Sequence, residues 1–77
     1  MATATTTLYT AIFVQDETDG GYSAWIEEVP GATSEGATLE EARANLRNAL
    51  QLLLEENRAF SEELTAGRGV IREPLAI

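Results

Sequence analysis

The hydrophobic and polar positions of the chain first alternate and then recur with a helical period. Residues 8–15, LYTAIFVQ, are rich in β-branched and aromatic side chains and predict a first strand. Asp16–Gly21 predicts a turn, because Asp19-Gly20 is a strong hairpin signal. Residues 22–29 predict the second strand, and residues 1–7, which have no pattern, are expected to be frayed.

Folding this hairpin about its turn predicts the strand register and the two faces of the sheet. The expected pairs are Gln15 with Tyr22, Phe13 with Ala24, Ile12 with Trp25 and Ala11 with Ile26. Because side chains alternate along a strand, one face is almost wholly apolar, and we expect a helix to cover it. That face holds Tyr9, Ala11, Phe13, Tyr22, Ala24 and Ile26. The other face holds Leu8, Thr10, Ile12, Val14, Ser23, Trp25, Glu27 and Val29.

The second half of the chain predicts a short strand and a capped amphipathic helix. After a turn at Pro30-Gly31, residues 32–35 predict a third strand that Gly36 ends. Thr38 and Glu41 have the spacing of a capping box at the start of a helix. The helix carries an apolar stripe of Leu39, Ala42, Leu46, Ala49, Leu50, Leu53 and Leu54. Leu52 falls off this stripe, which suggests a second contact for the helix.

The C-terminal end of the helix has two interpretations. The helical phase continues through Phe60 and Leu64, which predicts one helix to Ala66 that stops at Gly67. Alternatively, Ser61 caps a separate helical turn.

A last strand is predicted over residues 70–77, VIREPLAI, at a sheet edge because Pro74 lacks an amide donor. The prediction is therefore an α+β fold in a single domain over residues 1–77. Its order is β-β-β-α-β, with an antiparallel sheet of three to four strands and one long amphipathic helix on one face.

Composition restricts how a chain of this size is stabilised. A domain of 77 residues is marginal on its own, and the absence of cysteine and histidine excludes a disulfide framework and a Cys/His zinc site. Oligomerisation or a bound partner is the remaining means of stabilisation, so we expect a homo-oligomer. No apolar run is long enough to span a membrane, and the N-terminus lacks the features of a signal peptide. We therefore expect a cytoplasmic protein.

Charge is distributed unevenly along the chain. The formal net charge is −8, and all eight charged residues before Arg43 are acidic. This distribution disfavours direct nucleic-acid binding, which needs a basic face. It suits a basic protein partner, which opposite charge attracts over a long range. Alternatively, the acidity only keeps a small protein soluble.

Residues suited to catalysis are missing, so we expect no enzyme, cofactor or metal site. The chain has neither histidine nor cysteine, and its serines lack triad partners. Adjacent carboxylate pairs such as Glu27-Glu28 point apart rather than to one site. The Asp16–Gly21 loop contains three acids, but it is too short to supply the regularly spaced ligands of a calcium-binding loop. It therefore predicts a plain turn.

A binding surface is better supported than a catalytic one. Trp25 lies on the face that the helix does not cover, and tryptophan is enriched at interface hot spots. The alternative is that the chain's own last strand or tail covers Trp25. The candidate partner-binding or oligomer-interface residues are Ile12, Val14, Trp25, Glu27, Glu28 and Leu52.

Over about residues 8–57 the chain resembles the HicB-like antitoxin domain family. The matching positions are Tyr9, Asp19-Gly20, Gly21-Tyr22, Val29-Pro30-Gly31, Gly36 and Thr38-Leu39-Glu40-Glu41-Ala42. The resemblance implies a partial RNase-H-like β-β-β-α-β domain without nuclease residues. It also implies an antitoxin that blocks a small basic HicA-like toxin, which has a double-stranded-RNA-binding-like fold and cleaves mRNA.

Members of that family often carry a C-terminal ribbon-helix-helix or helix-turn-helix module for binding DNA. Too few residues follow the helix here for either module, so the resemblance carries no DNA-binding role to this chain. Two other functions remain open, an orphan oligomeric scaffold or ligand-binding module without a toxin, and a vestigial nuclease that binds magnesium.

Overall fold

The computed structural model of the protein describes residues 8–76 and contains a three-stranded antiparallel sheet packed against one long helix. The elements are β1 (Ala11–Gln15), β2 (Tyr22–Ile26), β3 (Thr33–Gly36) and α1 (Leu39–Thr65). The sheet order is β1-β2-β3, so β2 is central and the two other strands are edges. The predicted α+β class is confirmed. The fraying predicted for residues 1–7 falls outside the described residues.

The β1–β2 hairpin has the predicted register. Ala11 lies opposite Ile26, Phe13 opposite Ala24 and Gln15 opposite Tyr22. A carboxylate oxygen of Asp16 accepts the amide of Thr18 at 2.7 Å, and Gly20 has a φ of +77°. The turn therefore forms for the predicted reasons, because a carboxylate satisfies local amides and glycine adopts the left-handed region.

Both strands of the hairpin are shorter than predicted. β1 begins at Ala11 rather than at Leu8, and β2 ends at Ile26 rather than at Val29. The amide of Val29 donates to the Ile26 carbonyl at 3.3 Å, and the amide of Ala32 donates to the Val29 carbonyl at 3.2 Å. These bonds form a turn that directs Val29 towards the core, so its predicted place on the opposite face was wrong.

The core lies between β2 and the first half of α1. Its buried side chains are Ala24, Ile26, Ala32, Ala42 and Leu46, and Phe13, Tyr22, Val29, Leu50 and Leu53 pack against them. The predicted apolar face is thus the face that α1 covers. Tyr9 and Ala11, which were predicted on the same face, are exposed at its margin.

Close packing joins β3 to α1. The Ser34 hydroxyl donates to the Ala42 carbonyl at 2.9 Å, and the Asn45 side-chain amide donates to the Glu35 carbonyl at 2.8 Å. The third strand was predicted over residues 32–35, with Gly36 as the breaker that follows it. In the structure Gly36 belongs to the strand and is its last residue. A Cβ atom at Gly36 would lie 2.9 Å from the Ala42 Cα, so this approach requires glycine.

The Thr38 cap predicted at the start of α1 is present, but the Glu41 carboxylate does not bond the amide of Thr38 as it would in a complete capping box. The Thr38 hydroxyl accepts the amide of Glu41 at 3.1 Å, and the Glu41 carboxylate accepts the amide of Ala37 at 3.4 Å. α1 continues without a break to Thr65, before Gly67 with a φ of +73°, which selects the single-helix interpretation. In residues 8–76 no helix is both long enough and apolar enough to cross a bilayer.

Replacing Thr38 with alanine is expected to lower the free energy of unfolding by about 1 kcal/mol, because the Glu41 amide loses its acceptor. Urea unfolding followed by circular dichroism measures this loss. Thr65→Ala, at the other end of α1, is the control and should change stability by less than about 0.5 kcal/mol. Equal midpoints for Thr38→Ala and the unmodified protein would contradict a stabilising role for the cap.

The final strand predicted over residues 70–77 is not formed at residues 70–76, and Ile77 falls outside the described residues. The 27 residues of α1 extend about 40 Å and carry this segment away from the three-stranded sheet. Ile71 is 88% exposed and Leu75 is 87% exposed. The sheet therefore has three strands within the described residues.

Candidate protein-binding surface

The face of the sheet opposite α1 is the candidate binding surface, and we call it the outer face. Ala24 and Ile26 are buried beneath α1, so Trp25 between them points to the opposite side. Trp25 pairs with Ile12 of β1 and with Thr33 of β3. The strand residues of the outer face are Ile12, Val14, Ser23, Trp25, Thr33 and Glu35.

An apolar patch on the outer face is open to solvent. Trp25 is 40% exposed and Val14 is 49% exposed, while Ile12 beside them is half-buried. Val14 and Trp25 are diagonal neighbours across the β1–β2 pair, close enough for their side chains to touch. The structure thus brings together three of the predicted interface residues. Residues 70–76, which were the alternative cover for Trp25, form no strand on this face.

Glu27 and Glu28 lie in the turn after β2, rather than on the strand where they were predicted. The Glu28 carboxylate accepts the amide of Thr10 at 2.7 Å. Two hydrogen bonds from Thr10 lower the pKa of Glu28 below the ordinary carboxyl value. The bond from the Thr10 side chain has the larger effect and the bond from its amide the smaller. Glu28 therefore holds its negative charge at the entry to β1, and Glu27 adds an exposed carboxylate two residues after Trp25.

An acidic groove lies at the other end of the sheet, where the hairpin turn, β3 and the start of α1 meet. Its volume is about 520 Å³, and it is lined by Asp16, Asp19, Gly21, Tyr22, Ser23, Glu35, Gly36, Ala37 and Glu41. Four of these residues are carboxylates and none is basic. Such a groove suits the side chain of an arginine or lysine from a partner. Sequence reasoning missed it, because its carboxylates come from three separate elements.

Leu52 does not join the outer face. It lies on α1, in the other layer of the fold, and is 57% exposed. The predicted interface residues therefore divide into an outer-face patch, an adjacent acidic turn and an isolated helix position. Any contact made by Leu52 is separate from one made by Trp25.

Two curated proteins are similar to this chain, and both are named UPF0150 proteins. The protein from Synechocystis is 50% identical over 38 residues, which cover 49% of this chain and 53% of the relative. The protein from Thermotoga maritima is 41% identical over 49 residues, which cover 64% of this chain and 65% of the relative. The alignments thus span between about half and two thirds of these relatives. No family model and no solved structure matches the chain.

Proposed function

We propose that this protein is a non-catalytic, antitoxin-like protein that binds and neutralises a small basic toxin that cleaves mRNA. The observation that carries the proposal is the apolar patch of Ile12, Val14 and Trp25, exposed on the outer face between two acidic regions. The resemblance to the HicB-like domain family supports the choice of a toxin as the partner.

The patch and the carboxylates have different tasks in this mechanism. Trp25 supplies a large, rigid apolar surface, which is the usual centre of an interface hot spot. The acidic groove at one end and Glu27 at the other attract basic side chains and set the orientation of the partner. A toxin that binds RNA through a basic surface would lose access to its substrate when that surface is covered.

The direct test uses a small basic protein encoded by a gene adjacent to the gene for this chain, where such a neighbour exists. Titration calorimetry at low salt should show a complex, and its affinity should fall as salt screens the charges. An mRNA cleavage assay should show that adding this protein suppresses cleavage in proportion to complex formation. The proposal is wrong if no complex forms at low salt and cleavage continues at the same rate.

Replacing Trp25 with alanine is expected to weaken partner binding by at least about 30-fold, which corresponds to about 2 kcal/mol. Folding should lose less, because the Trp25 side chain is already 40% exposed. Calorimetry and urea unfolding on the same sample separate the two effects. Leu52→Ala, on the opposite layer, is the control and should bind as the unmodified protein does. A large loss of stability with unchanged binding would place Trp25 in the fold rather than in the interface.

A second candidate function is an oligomeric scaffold without a toxin. It is favoured by exposed apolar side chains outside the outer face, with Phe60 at 60% and Leu64 at 56% exposure. A stable assembly of this chain, with no small basic protein encoded by an adjacent gene, would support it.

A further inference from the structure

We propose that residues 70–76, here called the C-terminal segment, pair as a fourth strand with the β1 edge of a second copy. Each protomer then donates its own segment and receives its partner's. The protein is a dimer with exchanged C-terminal strands, and exchange of identical elements is a low-cost route to dimers. The partner in this proposal is the chain itself, so it does not depend on a toxin.

The β1 edge has unpaired backbone groups. The Thr10 carbonyl accepts the Glu27 amide at 2.9 Å, and the Asp16 amide donates to the Gly21 carbonyl at 2.7 Å. In an antiparallel pair, bonding residues alternate, so the amides and carbonyls of Ala11, Phe13 and Gln15 point away from β2. Within residues 8–76, β1 pairs with β2 on one side and with no strand on its other side. This edge is a ready template for an added strand.

An apolar groove runs beside the β1 edge, between the strand and α1. Its volume is about 380 Å³. It is lined by the apolar residues Ala11, Phe13, Leu46 and Leu50, and also by Arg43 and Arg47. The Arg43 guanidinium lies 5.6 Å from the centre of the Phe13 ring. The groove thus offers apolar surface with positive charge on its helical side.

The alternation of the C-terminal segment matches this groove. As a strand, the segment places Ile71, Glu73 and Leu75 on one face, with the carboxylate between the two apolar side chains. Ile71 and Leu75 would fill the apolar part, and Glu73 would meet the arginines. Pro74 is compatible with this position, because a strand added outside β1 becomes the new sheet edge.

Chain length favours a second copy over the segment's own protomer. From Leu50, the last groove residue on α1, the helix continues for about 22 Å to Thr65. Returning that distance in extended conformation needs about seven residues at 3.3 Å each. Residues 66–72 would be used in that return, so only residues 73–76 could lie along the protomer's own groove and Ile71 would not reach it. A second copy lying antiparallel receives the whole segment.

The second half of α1 also lacks the cover that a second copy would supply. Leu53 packs against the core, and Phe60 and Leu64 follow it on the same stripe of α1, seven and eleven residues later. Both Phe60 and Leu64 are nevertheless exposed. The Cα radius of gyration is 16.3 Å, whereas a compact chain of this length has about 11.5 Å.

A basic protein is a poor occupant of the groove beside β1, because Arg43 and Arg47 would repel it.

Sedimentation equilibrium on full-length protein tests the proposal. The unmodified chain should be a dimer, and Leu75→Asp should raise its dissociation constant at least about tenfold, or about 1.4 kcal/mol. Leu75 is 87% exposed within its own chain, so the helix content should not change. Ala76→Asp, which adds the same charge on the opposite face of the segment, is the matched control and should remain dimeric. A monomeric unmodified protein, or a dimer equally stable in Leu75→Asp, would overturn the proposal.

Charge reversal and cross-linking identify the groove and the donor. Glu73→Arg should weaken the dimer, and adding Arg43→Glu and Arg47→Glu to it should restore association. Because the chain has no cysteine, the double variant Ala11→Cys, Ile71→Cys can be treated with a short bismaleimide. Covalent dimers support strand exchange. Internally linked monomers, or no linkage at all, overturn it.

Discussion

Replacing Gly36 with alanine is expected to lower the free energy of unfolding by about 3 kcal/mol or more, the upper part of the range for overpacking. The added Cβ would lie 2.9 Å from both the Ala42 Cα and the Glu41 carbonyl carbon, and both atoms belong to the backbone. No side-chain rotation relieves such a contact, so α1 must move away from β3. That movement would strain the hydrogen bonds from Ser34 to Ala42 and from Asn45 to Glu35.

Small domains have a total stability of only about 5 kcal/mol, so Gly36→Ala should retain about 2 kcal/mol and unfold at a much lower urea concentration. Urea unfolding followed by circular dichroism measures the change. Gly69→Ala is the matched control, because no atom lies within 4 Å of the Cβ it would add. Its midpoint should stay within about 0.5 kcal/mol of the unmodified protein. If the two variants unfold at the same urea concentration, the helix is not held against β3 as the structure shows.

Replacing Leu46 with alanine is expected to lower the free energy of unfolding by about 3 kcal/mol. Leu46 is 3% exposed and packs in the centre of the core with Ala24 and Ile26. Its neighbours Ala24, Ala32 and Ala42 are small, so they have no flexible side chains with which to fill the cavity. The loss should therefore combine the transfer and cavity contributions.

Leu52→Ala supplies the comparison on the same helix. Leu52 is 57% exposed, so the identical change of side chain should cost less than about 0.5 kcal/mol. Thermal or urea unfolding must be done at one protein concentration, since association adds to apparent stability. Similar losses for Leu46→Ala and Leu52→Ala would show that α1 packs on the sheet through a different face.

The hairpin and the start of the helix were predictable because neighbouring residues determine them. Asp16, Asp19 and Gly20 form the turn, and the turn together with the two-residue alternation sets the pairing of β1 with β2. Thr38 and Glu41 are three residues apart, so the cap depends on almost nothing distant. The patch of Ile12, Val14 and Trp25 follows from the same register.

The errors in the hairpin lie after Ile26, where local turn bonds and contacts with distant residues together end the strand alternation. The strand predicted to Val29 gives way to a turn, which directs Val29 into the core. Glu27 and Glu28 move with that turn, and Glu28 bonds Thr10 across the β1–β2 pair. Alternation along the chain carries no information about these contacts.

The sequence by itself determined the hairpin register, the helix cap and the face of the sheet that α1 covers, because turn chemistry, capping and periodicity act over a few residues. Only the tertiary structure decided that Gly36 lies against Ala42, that four carboxylates from three elements meet in one groove, and that residues 70–76 do not join the three-stranded sheet. Those outcomes depend on the length and placement of α1 relative to the sheet. That placement comes from packing between residues far apart in the chain.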